Sequence, residues 1–129
     1  MPVDLGGVTV EAVRLALDAA QMRHHVIANN LANAKTEDFH AKRLDFERIL
    51  ASELDLDTDR SERAIREAIG RVADRMTSPG AIRDTADSEV SLDQEMANLA
   101  DNTIRYRALL AALGKQISIV QTAIEGGNR

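Results

Sequence analysis

Among 129 residues, the side chains equipped for acid–base, metal or nucleophilic chemistry are three His and 21 Asp or Glu, with no Cys. Without Cys there is no disulfide, thiolate zinc site or cysteine nucleophile. His24 and His25 are adjacent, so on a helix they point about 100° apart and cannot chelate one ion together. His40 is isolated in the sequence. The run Asp55-Leu56-Asp57-Thr58-Asp59 alternates carboxylates as a calcium loop does. Such a loop needs Gly at its sixth position and a bidentate Glu at its twelfth. Arg60 and Arg66 stand there instead, with Glu67 one place late, so a cation would face two guanidinium groups. A solvated turn before a helix is the better reading. No nucleophile elbow, phosphate-cradling glycine loop or paired-carboxylate pattern occurs. The sequence therefore offers no catalytic, cofactor-binding or metal site, and no enzyme is expected.

What remains is amide chemistry. Asn29, Asn30 and Asn33 fall within five residues, and each side chain both donates and accepts. Asn is a poor helix-interior residue that tolerates left-handed backbone, so the cluster reads as a worn helix end. Equally, the amides could tie neighbouring backbones together in an assembly.

The elements around this cluster are helical by period. From about Val8 to Leu31, a heptad frame places Val10, Leu17, His24 and Leu31 in one row and Val13, Ala20 and Ile27 in the other. Thr9 is the expected N-cap. A second, stronger segment runs from Leu92 to Glu125, roughly 50 Å as a helix. Its rows are Met96, Thr103, Leu110, Ile117 and Ile124, and Leu99, Tyr106, Leu113 and Val120. Ser91 and Gln94 read as a capping box, and Gly126-Gly127 as the stop. The expected fold is all-α, with long N- and C-terminal helices paired as an antiparallel coiled-coil hairpin. Its seam joins Val10, Val13, Leu17, Ile27 and Leu31 to Met96, Leu99, Tyr106, Leu110, Leu113, Ile117 and Val120. Ile104, Leu109 and Ile119 lie off that seam, where one partner helix cannot cover them. They form a candidate intersubunit face unless the middle of the chain packs there.

Residues 37–89 separate the ends (1–36 and 90–129) as a polar, partly helical or mobile segment. Of the net charge of −5, residues 51–89 carry −4. Ile65, Ile69, Val72 and Met76 recur at helical spacing, so a short amphipathic helix is expected over about 61–76, broken by Ser78-Pro79-Gly80. Residues 41–54 fit a short helix or a loop, and no strand pattern stands out. Aromatic residues are only 2%, so Ala, Leu, Ile and Val must fill the core. The acidic balance without a basic patch argues against nucleic acid. No run is long and apolar enough to insert in a membrane. The start, Met1-Pro2-Val3-Asp4-Leu5, lacks the basic and apolar regions of a cleaved signal peptide.

The stretch Ala28-Asn29-Asn30-Leu31-Ala32-Asn33-Ala34-Lys35-Thr36 closely resembles the N-terminal signature of bacterial flagellar rod and hook proteins. There an apolar helix leads into an Asn-rich turn, then Thr and usually Pro-Gly-Tyr. Here Glu37-Asp38-Phe39 follows, keeping an aromatic and dropping Pro and Gly. Val90-Ser91-Leu92-Asp93-Gln94-Glu95-Met96, then Asn102, Arg105-Tyr106 and the final heptads, resemble the close of the same family. The short length is similar to that of its small rod members.

The resemblance implies a structural subunit of the proximal basal-body rod, part of the helical drive shaft that transmits torque. Such subunits leave the cytoplasm through the flagellar type III export apparatus without signal cleavage and assemble in the periplasm. The implied partners are other rod subunits (FlgC, FlgF and FlgG-like), the adaptor FliE and the ring protein FliF. Asn29, Asn30, Asn33, Thr36 and Phe39 are the implied signature and assembly residues. A soluble helical-hairpin adaptor binding one partner helix would explain the heptads and acidic middle equally well, but not the two terminal patterns together.

Overall fold

The computed structural model describes residues 7–55, 59–86 and 89–127. Along the described chain run α1 (Gly7–Ala32), β1 (Lys42–Leu44), α2 (Phe46–Asp55), α3 (Glu62–Met76), β2 (Ile82–Asp84) and α4 (Leu92–Gly126). The two terminal helices pair antiparallel, because Asn30 meets Glu95 and Ala20 meets Asn102. α1 is already helical at Gly7, so Thr9 lies inside the helix instead of capping it. α4 begins at Ser91, whose hydroxyl accepts from the Gln94 N–H at 3.3 Å. Gln94 does not return to the cap; its side chain donates to Asn98 one turn on. Half of the expected capping box is formed.

The stripe of α4 turned toward α1 is rotated relative to the heptad frame. Leu99, Tyr106, Leu113 and Val120 are half-buried. Their companion row is Glu95, Asn102, Leu109 and Gln116, of which Glu95 and Asn102 are fully buried. Met96, Leu110 and Ile117 remain 55%, 45% and 46% exposed. A count of apolar residues could not choose this rotation, because the two positions that go deepest are polar and are paid for by hydrogen bonds. On α1, Leu17, Ala20 and Ile27 are buried, Val10, Val13 and Leu31 are half-buried, and His24 is exposed. The rings of His24 and His25 meet edge to face, 6.3 Å between centroids.

α1 is buried on a second face, against the middle of the chain. Leu15 and Ala19 join Leu44, Ile49, Val72, Met76 and Ala81 in one core, flanked by Met22, Phe46, Leu50 and Ile69. None of these residues belongs to α4. The segment read from sequence as polar and partly mobile thus supplies most of the apolar core. α3 matches its expected span, capped by the Ser61 hydroxyl on the Ala64 N–H, and Val72 is 0% exposed. Residues 41–54, undecided between helix and loop, form both β1 and α2. Gly80, at φ +93°, turns the chain from α3 into β2. The turn closes with the Ala81 N–H donating to the Ser78 carbonyl.

The strands pair antiparallel with Lys42 opposite Asp84, Arg43 opposite Arg83 and Leu44 opposite Ile82. Strands of three residues carry too little alternation to stand out in a sequence. Lys42 and Asp84 are joined across the ladder at 2.6 Å. The two facing guanidiniums avoid each other by taking separate acids, Arg43 pairing with Glu95 and Arg83 with Asp45. The alternating carboxylates at 55–59 lie partly outside the described residues. Asp59 accepts from the Ser61 N–H and hydroxyl, which makes it part of the α3 entry.

α2 and α3 are clamped through Glu53, whose carboxylate accepts from Arg71 and Arg75, each at 2.9 Å. Its side chain is 8% exposed. The hydrogen bond from Arg71, then that from Arg75, hold its pKa below the ordinary 4.5. A depressed folded-state pKa contributes stability that is complete above the unfolded value and is lost as pH falls through the folded one. Glu53→Gln should therefore lower the urea midpoint near neutral pH, with the deficit closing as pH falls below about 4.5. Equal deficits at both ends of the titration would refute the clamp.

Candidate functional site

The Asn-rich end of α1 is where three elements meet. Asn30 is 0% exposed. Its carboxamide oxygen accepts from the Lys42 N–H at 2.9 Å, and its NH₂ donates to the Lys42 carbonyl at 3.0 Å. A side chain thus exchanges both bonds with a strand residue, as a neighbouring strand would. Ala41 and Asp45 bond across to β2, so Lys42 turns its backbone groups the other way. Asn30 thereby covers the outer edge of β1 at that residue. The same NH₂ also donates to Glu95 Oε2 at 3.1 Å. Glu95, 1% exposed, takes its charge partner from Arg43. Arg43 in turn donates to the Lys42 carbonyl at 2.9 Å. One amide and one ion pair therefore join α1, β1 and the first turns of α4.

Asn29 and Asn33 act locally. The Asn33 NH₂ donates to the Asn29 carbonyl at 2.9 Å and to the Asn29 side-chain oxygen at 3.2 Å. The Asn33 side-chain oxygen accepts from the Thr36 hydroxyl, and its carbonyl from the Thr36 N–H at 2.9 Å. The Asn29 carbonyl also accepts from the Asn33 N–H at 3.1 Å, so the Asn33 amide reinforces a bond the backbone already makes. Asn29 and Thr36 are exposed, and Asn33 and Phe39 half-buried. Asp38 has φ +58°, the left-handed conformation that glycine adopts without strain. It occupies the place of the Gly in the usual Pro-Gly-Tyr.

Sequence reasoning left Lys42, Arg43 and Glu95 without a role. Asn102 entered only as part of a pattern. Asn102 is 3% exposed and donates to the Ala20 carbonyl at 2.8 Å, pinning the middle of the α1–α4 pair. The signal available was a polar residue at helical spacing from half-buried apolar ones. Of the proposed intersubunit face, Ile104 and Ile119 are 68% and 47% exposed. Leu109 is half-buried, lining a groove with Ala16, Ala19 and Phe46. Among the described residues no group of three or more potential ligands could hold a metal, and no helix is long and apolar enough to cross a membrane.

No family model and no solved structure matches the chain. Relatives do. A flagellar basal body rod protein FlgB of Bacillus subtilis is 32% identical over 127 residues, spanning 92% of this chain and 95% of that protein. The FlgB of Salmonella typhimurium is 31% identical, over 88% and 90% of the two chains. That of Cereibacter sphaeroides is 33% identical, over 86% and 89%. The chain belongs to the FlgB family of flagellar basal body rod proteins. Its function is structural, and it is not an enzyme. The Asn30 junction is then a joint inside one FlgB-family subunit, and the exposed apolar residues of α4 are surface available to a neighbour.

Asn30→Ala would leave the Lys42 N–H and Glu95 Oε2 without the partners they have here, while the Lys42 carbonyl keeps only its bond from Arg43. A loss of about 3 kcal/mol in urea unfolding is expected, against about 0.5 or less for exposed Asn29→Ala. Similar small losses for both would remove Asn30 from the junction. Asp38→Gly relieves a left-handed residue and should raise stability by up to about 1 kcal/mol in the same assay.

Proposed function

We propose that this FlgB-family chain is a proximal-rod subunit that builds its rod by helical packing with copies of itself and with other axial proteins. Support comes from identity to FlgB proteins over most of the chain, both terminal segments included. A second support is physical. Leu92, Met96, Ile104, Leu110, Ile117, Ile119 and Ile124 are all more than two-fifths exposed on one helix of a single subunit. A monomer gains little by keeping these side chains in water, whereas an assembly can bury them. The neighbours in this reading are FlgC, FlgF and FlgG-like rod subunits, with the adaptor FliE and the ring protein FliF at the base.

In the same reading the subunit reaches the periplasm through the flagellar type III export apparatus, at full mass. A subunit that leaves much of the apolar surface of α4 in water gains less from folding alone, which suits a chain that must be threaded before it assembles. The signature residues Asn29, Asn30, Asn33, Thr36 and Phe39 shape the end of α1 so that its outer surface is presented to neighbours in one geometry. Immunoblotting of detergent-washed basal bodies should find the chain enriched there at its uncleaved mass. Residence only in the cytoplasmic fraction of flagellated cells would overturn the rod reading.

A further inference from the structure

We propose that the C-terminal half of α4, from Leu110 to Ile124, docks into a groove on a second copy of this chain, between that copy's α4 and its β1–α2 corner. The inference rests on the rod reading and names the two surfaces that meet. The groove is floored by Ala16, Ala19 and Ala20 of α1 and walled by Phe46 and Leu109, with a volume of about 340 Å³. Small floor residues let another helix approach closely. The groove continues into a polar recess of about 230 Å³, with Arg23, Glu47 and Arg105 common to both parts. Asn98, Asp101 and Asn102 line that recess, so its wall offers polar groups that an amide from outside the subunit can meet.

Charge selects the occupant. The outer faces of α2 and α3 carry Arg48, Arg63, Arg66 and Glu67, all exposed, and pressing them into an alanine-floored groove would bury charge. Residues 108–124 of α4 contain a single charged side chain, Lys115. Leu110, Ile117, Ile119 and Ile124 are exposed along that half. Extending the pairing set by Asn30–Glu95 and Ala20–Asn102 brings Gly7 opposite about position 116, so the described part of α1 runs out where this half begins to project. Gln121 lies one turn beyond Ile117 on the same face and is exposed. With Ile117 in the apolar part, the Gln121 amide comes to the polar recess beside Asn98 and Asp101. Because the giving and receiving surfaces differ, the contact is head-to-tail and can propagate around a ring or along a helix.

The chain has no Cys, so cross-linking is free of background. In one full-length chain, Ala108→Cys and Ile117→Cys lie about 13 Å apart along α4, too far for an internal disulfide. Mild oxidation of basal bodies carrying this double variant should convert the monomer band into a ladder of dimers, trimers and larger species. Ile117→Cys alone, or paired with Arg63→Cys on the charged face of α3, should stay monomeric. A double variant that is present in basal bodies but unlinked overturns the groove contact and leaves the rod reading standing. Dimers from Ile117→Cys alone, formed as fast as the ladder, overturn it too, because they require a symmetric contact. If the wild-type chain is missing from basal bodies, both readings fall. Should the first pair not assemble, Asn98→Cys with Gln121→Cys probes the polar end of the same contact, with the same outcomes.

Discussion

A single carboxamide satisfying both backbone groups of a strand residue is the constraint on which the subunit's geometry depends. Asn30 holds the N–H and carbonyl of Lys42, and with its remaining hydrogen holds Glu95. No aliphatic side chain could do this, and a carboxylate would offer no donor to the Lys42 carbonyl. The joint sets where β1 lies against α1, and therefore where α2 and α3 begin. It also sets the register of α4, because Glu95 can reach both Asn30 and Arg43 from one position only. Buried polar groups of this kind contribute more to a defined arrangement than to net stability, since their gain is offset by desolvation.

The two faces of α1 are held by different physics. Toward the middle segment it meets an apolar core that includes Leu44, Ile49, Val72 and Met76. Toward α4 it meets half-buried aliphatic side chains, with Glu95 and Asn102 as the fully buried contributions. The first contact is driven by removing apolar surface from water, the second is aligned by hydrogen bonds. α4 thus leaves much of its apolar surface exposed, with Met96, Ile104 and Ile124 all more than half exposed. The outer face of α3 carries the i,i+4 pairs Arg63–Glu67 and Arg66–Glu62.

Much of this architecture was legible in the residues. Heptad spacing and caps placed α4 over Leu92 to Glu125, one residue short of its observed end, and Ser61 with Val72 and Met76 located α3, because regular periods and local hydrogen bonds are one-dimensional signals. The family was legible as well, from the Asn-rich run together with the C-terminal pattern. Less of the site was visible. Asn30 stood among three similar asparagines, and nothing in the order of residues separates the one that is buried from those that close a helix end. Lys42 and Arg43 offered no period, and the row that holds Glu95 is not apolar, since their meaning lies in contacts made 12 to 65 positions away.

By itself, then, the sequence determined the two long helices, the short one between them, the absence of thiol chemistry and the family to which the chain belongs. Tertiary structure decided which face of α4 turns inward, that the middle segment packs on α1 to supply most of the apolar core, and which asparagine is structural. The reason is that rotation of a helix is settled by its deepest contacts, and here those contacts are polar. Their value depends on a partner's geometry, which a hydrophobic period does not encode.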